Sequence, residues 1–203
     1  MTTVARRARH LVATPDNQTL RDERATYHNP RMAPPPKRNT GPNALRRGRA
    51  SVPHADYFVT VCVQPRLPVL VPGIAPALLA ETHRLTADGA WALRCLTVMP
   101  DHAHLFFTLG ARLTLSQAMA RLKTKTQALL RPQGAGWQEN FYDHRLRPED
   151  SAESVIRYLW LNPPRAGLVA EGETWPYFYC RDEDWEWLRD LTDNGQPFPE
   201  WLG

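Results

Sequence analysis

Two apolar runs, residues 91–99 and 102–109, are separated only by Pro100-Asp101. So short a connection leaves no room for a crossover, and Pro-Asp is turn chemistry, so the two runs must fold back on each other as an antiparallel hairpin. Before it, Tyr57-Phe58-Val59-Thr60-Val61-Cys62-Val63 is rich in β-branched and aromatic residues and reads as a buried strand, with the folded part starting near Asp56. Leu78, Leu79, Thr82 and Leu85 recur at helical spacing and predict a helix over about 74–87. Leu115, Met119, Leu122 and Leu129, with Arg121, Lys123 and Lys125 between them, predict an amphipathic helix over 115–130 that ends before Gly134 and Gly136. Residues 140–146 read as a short strand or an irregular segment. Asp150 with Glu153 three residues on resembles a capping box, and Pro163-Pro164 imposes a stop, so the last helix should run over 151–162. The order strand, helix, strand, strand, helix, strand, helix gives an α+β sandwich: a largely antiparallel sheet with helices packed on it.

At 203 residues the chain accommodates one ordinary domain and peripheral segments. Its net charge of +4 is unevenly spread. Residues 1–50 hold eleven Lys/Arg against three Asp/Glu, residues 51–170 twelve against nine, and residues 171–203 two against nine. We read a basic, proline-rich arm (1–50) without regular structure, a folded body (51–170), and an acidic, aromatic extension (171–203) packed over its edge. Arg46, Arg47 and Arg49 stand just before the first strand, where flexible arginines reach a polyanionic backbone; a purely solubilising arm is the alternative. No run approaches the roughly 18 apolar residues that span a bilayer, and no export signal opens the chain, so a soluble cytoplasmic protein with no membrane partner is expected. Cys62, Cys95 and Cys180 are odd in number and form no CxxC, which argues against a disulfide framework or a zinc knuckle.

His102 and His104 flank Ala103 on a predicted strand, so both imidazoles face one side while Ala103 faces the other. Such a pair can share a metal ion, although the pattern alone also describes ordinary surface histidines. Tyr158 and Asn162, four residues apart on the last predicted helix, share one of its faces. The Asn oxygen is a competent hard ligand, and the tyrosine one turn away is a nucleophile; without other information the two are a half-buried aromatic and a helix-end residue.

Three separate blocks carry a resemblance. Val98-Met99-Pro100-Asp101-His102-Ala103-His104-Leu105, then Trp137-Gln138 with Phe141-Tyr142-Asp143-His144 and Arg147, then Tyr158-Leu159-Trp160-Leu161-Asn162-Pro163 with Arg165-Ala166-Gly167-Leu168-Val169, closely resemble the REP-associated tyrosine transposases among the single-tyrosine HUH endonucleases. The resemblance spans about residues 46–170 and implies a ferredoxin-like HUH sandwich as the catalytic domain over 51–170. It implies His102, His104 and Asn162 as ligands of Mg²⁺ or Mn²⁺, and Tyr158 as the nucleophile. The expected partner is single-stranded or hairpin DNA of the REP-palindrome kind, engaged by a monomer or a homodimer. Tyr142 and His144 are the alternative nucleophile and its acid or ligand. Lys123, Lys125 and Arg147, with the arginines of the arm, are candidate DNA contacts. A binding protein without catalysis and a metal hydrolase using water are the rival classes.

Overall fold

The hairpin forms as its two-residue connection requires. In the computed structural model β2 (Trp91–Val98) and β3 (His102–Leu109) pair antiparallel, and the Met99 N–H closes the turn on the His102 carbonyl at 2.8 Å. The structure describes residues 51–170, 173–189, 192–193 and 196–197, so the basic arm, with Arg46, Arg47 and Arg49, lies outside the described residues. β1 (Asp56–Gln64) pairs with the other edge of β3. β4 (Gly136–Trp137) and β5 (Tyr142–Arg145) share the outer edge of β1, and β6 (Phe178–Cys180) extends the sheet beyond β2. The pairings are all antiparallel. A short separate ladder joins β7 (Thr192–Asp193) to β8 (Gln196–Pro197).

Strand alternation sorts the sheet into two unlike faces. Val59, Val61, Leu96, Val98, Ala103, Leu105, Phe107 and Leu109 are sealed into one core with Leu78 and Leu85 of α1 (Ala75–Ala87) and Leu115, Met119 and Leu122 of α2 (Leu115–Leu130). α2 starts on a true capping box, Thr114 with Gln117, which the sequence reading passed over. On the opposite face α3 (Ala152–Arg165) crosses β2 and β3, and α4 (Asp182–Arg189) packs against α3. The described residues thus form an α+β sandwich, and no helix among them is long and apolar enough to cross a membrane.

Two expectations about α3 need correction. Its N-cap is Ser151, whose hydroxyl accepts from the Ser154 N–H; Asp150 instead accepts from the Arg147 N–H and pairs with His144. The helix also does not stop at Asn162 but runs through Pro163 and Pro164 to Arg165. A proline in a helix removes an N–H and crowds the carbonyl four residues back, and here the Leu159 carbonyl, which would have bonded residue 163, accepts the Thr97 hydroxyl of β2 at 2.7 Å instead. The helix ends one turn later in a Schellman motif: Leu168 N–H bonds the Pro163 carbonyl, Gly167 N–H bonds the Pro164 carbonyl, and Gly167 takes the required positive φ of 67°.

A charged knot ties the two ends of the described chain together. The register shifts between Leu93 and Cys95, so this bulge in β2 sends both Arg94 and Cys95 toward the α3–α4 layer. There Arg94 holds Asp184 of α4 through two hydrogen bonds (2.7 and 3.0 Å) and Asp56 of β1 at 2.6 Å. Burial pushes the Asp184 carboxyl up, but hydrogen bonds from Arg94 and Arg181 outweigh it and hold the group below the ordinary carboxylate value. With side-chain exposures of 8% and 2%, the Arg94–Asp184 pair is buried, so removing one partner leaves a stranded charge. Arg94→Leu should lower stability by about 3 kcal/mol in urea unfolding at pH 7. Because the Asp184 pKa is depressed on folding, its contribution is complete above the ordinary Asp value of ~3.9 and disappears as pH falls through the lower folded value. Asp184→Asn should accordingly flatten the acid limb of the stability profile.

Candidate active site

The site lies on the α3 face of the sheet, where strand register builds a single row. His104 on β3 stands opposite Thr60 on β1 and Thr97 on β2, and Tyr142 on β5 extends the row beyond Thr60. His102, two residues earlier on β3, faces the same side and stands opposite Cys62. The strand period therefore delivers both imidazoles to one spot, and their Nε2 atoms are 3.1 Å apart.

Neighbouring groups set which ring nitrogens carry protons. Asp101 Oδ1 lies 2.6 Å from His102 Nδ1, and since a carboxylate only accepts, His102 Nδ1–H is the donor. The other carboxylate oxygen, Oδ2, is 2.6 Å from Arg66 Nε. His104 Nδ1 lies 2.9 Å from the Thr60 hydroxyl, and its Nε2 is 3.2 Å from Asn162 Nδ2. An Nδ1–H tautomer of His104, donating to Thr60, leaves Nε2 with a lone pair aimed at the same point as that of His102. His104 is 5% exposed, and burial, followed by electrostatic interaction with His102 and Arg66, holds its pKa well below the ordinary histidine value. It is therefore neutral at pH 7.

Two lone pairs facing each other at 3.1 Å repel unless a cation or a proton stands between them. Two donors each ~2.1 Å from one ion, at right angles to tetrahedral spacing, stand about 3.0–3.4 Å apart, so the separation fits two nitrogens of a shared metal. A half-turn of the Asn162 amide brings its Oδ1 where Nδ2 now lies, adding a hard oxygen donor. Among the described residues no group of three or more His, Cys, Asp or Glu is arranged to hold a metal; the candidate set here is two imidazoles and an amide. Asp101 and Thr60, which orient the imidazoles, and Arg66, which steadies Asp101, were missed by the sequence reading. Asp101 was visible as a turn residue and within the first resembling block, with no role of its own, and the Thr60 contact spans 44 positions.

Tyr158, one turn before Asn162 on α3, sets its ring edge-on to His104 at 5.5 Å and to Phe58 at 5.8 Å, while Phe58 stacks on His104. The tyrosine thus borders the imidazole pair in a wall that is apolar on one side. Tyr142 lies on the same face but beyond β1, and burial, with the nearby Asp143 charge, raises its phenol pKa and disfavours the phenolate. His144 is held by Asp150 at 2.9 Å, in the loop before α3. Lys123 is committed to the chain itself: its ammonium donates to the Gln138, Glu139 and Asn140 carbonyls and lies over the Phe141 ring. Lys125 is exposed on α2, in the layer on the other side of the sheet from the imidazoles. Arg147 is exposed beyond β5, within 3.9 Å of Glu149.

The orienting role of Asp101 gives a measurable consequence. Asp101→Ala should weaken Mn²⁺ binding about 10–100-fold in calorimetric titration, because the His102 ring loses the acceptor that fixes its tautomer. Affinity unchanged by that substitution would mean that the imidazole pair is not the metal-binding group.

Comparison with known proteins finds relatives of one kind. Residues 51–149 match the family model described as Transposase IS200 like. A Haemophilus influenzae protein named as a REP-associated tyrosine transposase is 24% identical over 162 residues, covering 68% of this chain and 92% of that one. The REP-associated tyrosine transposase of Escherichia coli is 23% identical over 144 residues, covering 68% of this chain and 87% of that one. A solved structure of a REP-associated tyrosine transposase bound to a REP hairpin shares the fold, with a TM-score of 0.56 at 21% identity over 64% of this chain and 79% of that one. The family match takes in both histidines and stops short of α3. Over residues 51–149 the chain is thus similar to the IS200-like transposases, a family of DNA-transposing enzymes.

Proposed function

We propose that this chain cuts and rejoins single-stranded DNA beside a hairpin, with Tyr158 as the nucleophile and His102, His104 and Asn162 as the ligands of Mg²⁺ or Mn²⁺. The observation that carries the reading is the convergence of two imidazole Nε2 atoms and one amide on a single point, with the Tyr158 ring against His104. The hairpin partner, of the REP-palindrome kind, is taken from the relatives, whose name and bound ligand refer to REP elements.

A phosphodiester resists attack because its non-bridging oxygens repel an approaching anion. A divalent ion held by the imidazoles and the amide would supply Lewis acidity to one of those oxygens and favour the phenolate form of a neighbouring tyrosine. Tyr158 Oη then attacks phosphorus in line with the 3′ oxygen. The Oη–P bond forms as the P–O3′ bond breaks; the phenolic proton leaves to water and the 3′ oxygen takes one up. The products are a 5′-phosphotyrosyl protein and a free 3′-OH. One phosphodiester is exchanged for another, so a 3′-OH can reverse the step and rejoin a strand without an external energy source.

The roles of the other side chains follow from their partners. Asp101 and Thr60 hold the imidazoles in the tautomers that leave both Nε2 atoms free to coordinate. Phe58 keeps water from one side of His104. Arg66, 53% exposed at its side chain and anchored through Nε to Asp101, brings a guanidinium beside the site where a phosphate can meet it.

Incubation with hairpin-bearing single-stranded DNA and Mn²⁺ should yield a covalent protein–DNA band on a denaturing gel, and Tyr158→Phe should abolish it while Tyr142→Phe retains it. An adduct that survives Tyr158→Phe contradicts the nucleophile assignment. DNA binding by the wild type with no adduct favours a binding protein, and cleavage without an adduct favours a hydrolase using water.

A further inference from the structure

We propose that Thr97 is a positioning residue for catalysis: its hydroxyl replaces the hydrogen bond that Pro163 denies to α3 and so fixes the turn carrying Tyr158 and Asn162 over His104. The inference rests on the reading of Tyr158 and Asn162 given above.

Three observations converge on it. Thr97 is wholly buried, and its Oγ1 donates to the Leu159 carbonyl at 2.7 Å. Leu159 follows Tyr158, and the residue four positions on is Pro163, which directly follows Asn162 and has no N–H to give. Thr97 is also the register partner of His104 on the neighbouring strand. One hydroxyl therefore links the sheet row that holds an imidazole to the helical turn that holds the nucleophile and the amide. In an uninterrupted helix the Leu159 carbonyl would be bonded within α3, and the rotation and height of that turn above the sheet would be left to side-chain contacts, apolar packing and the Asn162–His104 contact among them, which tolerate sliding. A hydrogen bond from strand to helix backbone tolerates little. Pro163 thus frees an acceptor, and Thr97 uses it to set the distance between the two halves of the site.

Thr97→Val keeps the side-chain shape and leaves a buried carbonyl without this donor. In the full-length protein with Mn²⁺ and hairpin-bearing single-stranded DNA, the rate of adduct formation should fall about 10-fold or more, while the DNA concentration giving half-maximal rate stays within about 2-fold. Thr97→Ser, which retains the hydroxyl, should recover most of that rate. The decisive arm restores the missing N–H: Pro163→Ala in the Thr97→Val background should return the rate toward that of Pro163→Ala alone, so the two substitutions are strongly non-additive. Independent, additive effects overturn the proposal, as does a Thr97→Val rate within about 2-fold of wild type. Where Thr97→Val alone does not fold, Pro163→Ala must recover folded and active protein, and failure to do so also overturns it. Tyr158→Phe run in parallel decides the underlying reading separately, since an adduct that persists there removes Tyr158 as nucleophile whatever Thr97 does.

Discussion

Along β3, successive side chains serve two layers. Ala103, Leu105, Phe107 and Leu109 are sealed against α1 and α2, and His102 and His104 face α3. The antiparallel ladders on both edges of β3 fix this assignment, because a slip of one residue would exchange the faces, exposing the apolar set and driving both imidazoles into the core. The hydrophobic core is therefore also what aims the imidazoles. Its apolar burial makes the wrong register costly, and the right register puts Thr60, His104 and Thr97 in one line.

The face opposite that core buries Phe58, Phe106, Ile156 and Leu159, and hydrogen bonds and an ion-pair network run through it as well. Arg94, carried there by a bulge, joins β1, β2 and α4 through Asp56 and Asp184; Thr97 joins β2 to α3; Thr60 and Asp101 hold the imidazoles. Buried donors and acceptors of this kind add little net stability when paired, but they penalise alternatives heavily, since each lost partner strands a desolvated group. Such a layer suits a site that must hold two imidazoles, an amide and a phenol in one arrangement.

Much of this was legible in the sequence. The hairpin, β1, α1 and α2 follow from apolar periodicity and a two-residue turn, and the same alternation that defines β3 shows that His102 and His104 share a face. Tyr158 and Asn162 share a face by helical spacing alone, although nothing local showed that this face meets the histidines. What stayed hidden depends on distant partners or on local rules overridden by them. Pro163 is a stop signal, but a hydroxyl 62 positions from Leu159 in the chain lets the helix continue. Arg94 sits in a broken alternation, Leu93-Arg94-Cys95-Leu96, that hides a bulge. β6 and α4 are short, and their aromatic, acidic sequence has no clean period; they are fixed by pairing with β2 and by Asp184 meeting Arg94. Lys123 read as a candidate DNA contact, yet it closes a loop by donating to three carbonyls.

The central claim is that the tyrosine on α3, and not the one on β5, meets the phosphate at the imidazole pair. Mass spectrometry of the wild-type covalent complex, digested with protease and nuclease, reads this out without any substitution that could disturb the fold. The account predicts a residual nucleotide on the peptide containing Tyr158. A nucleotide on the peptide containing Tyr142 would contradict it.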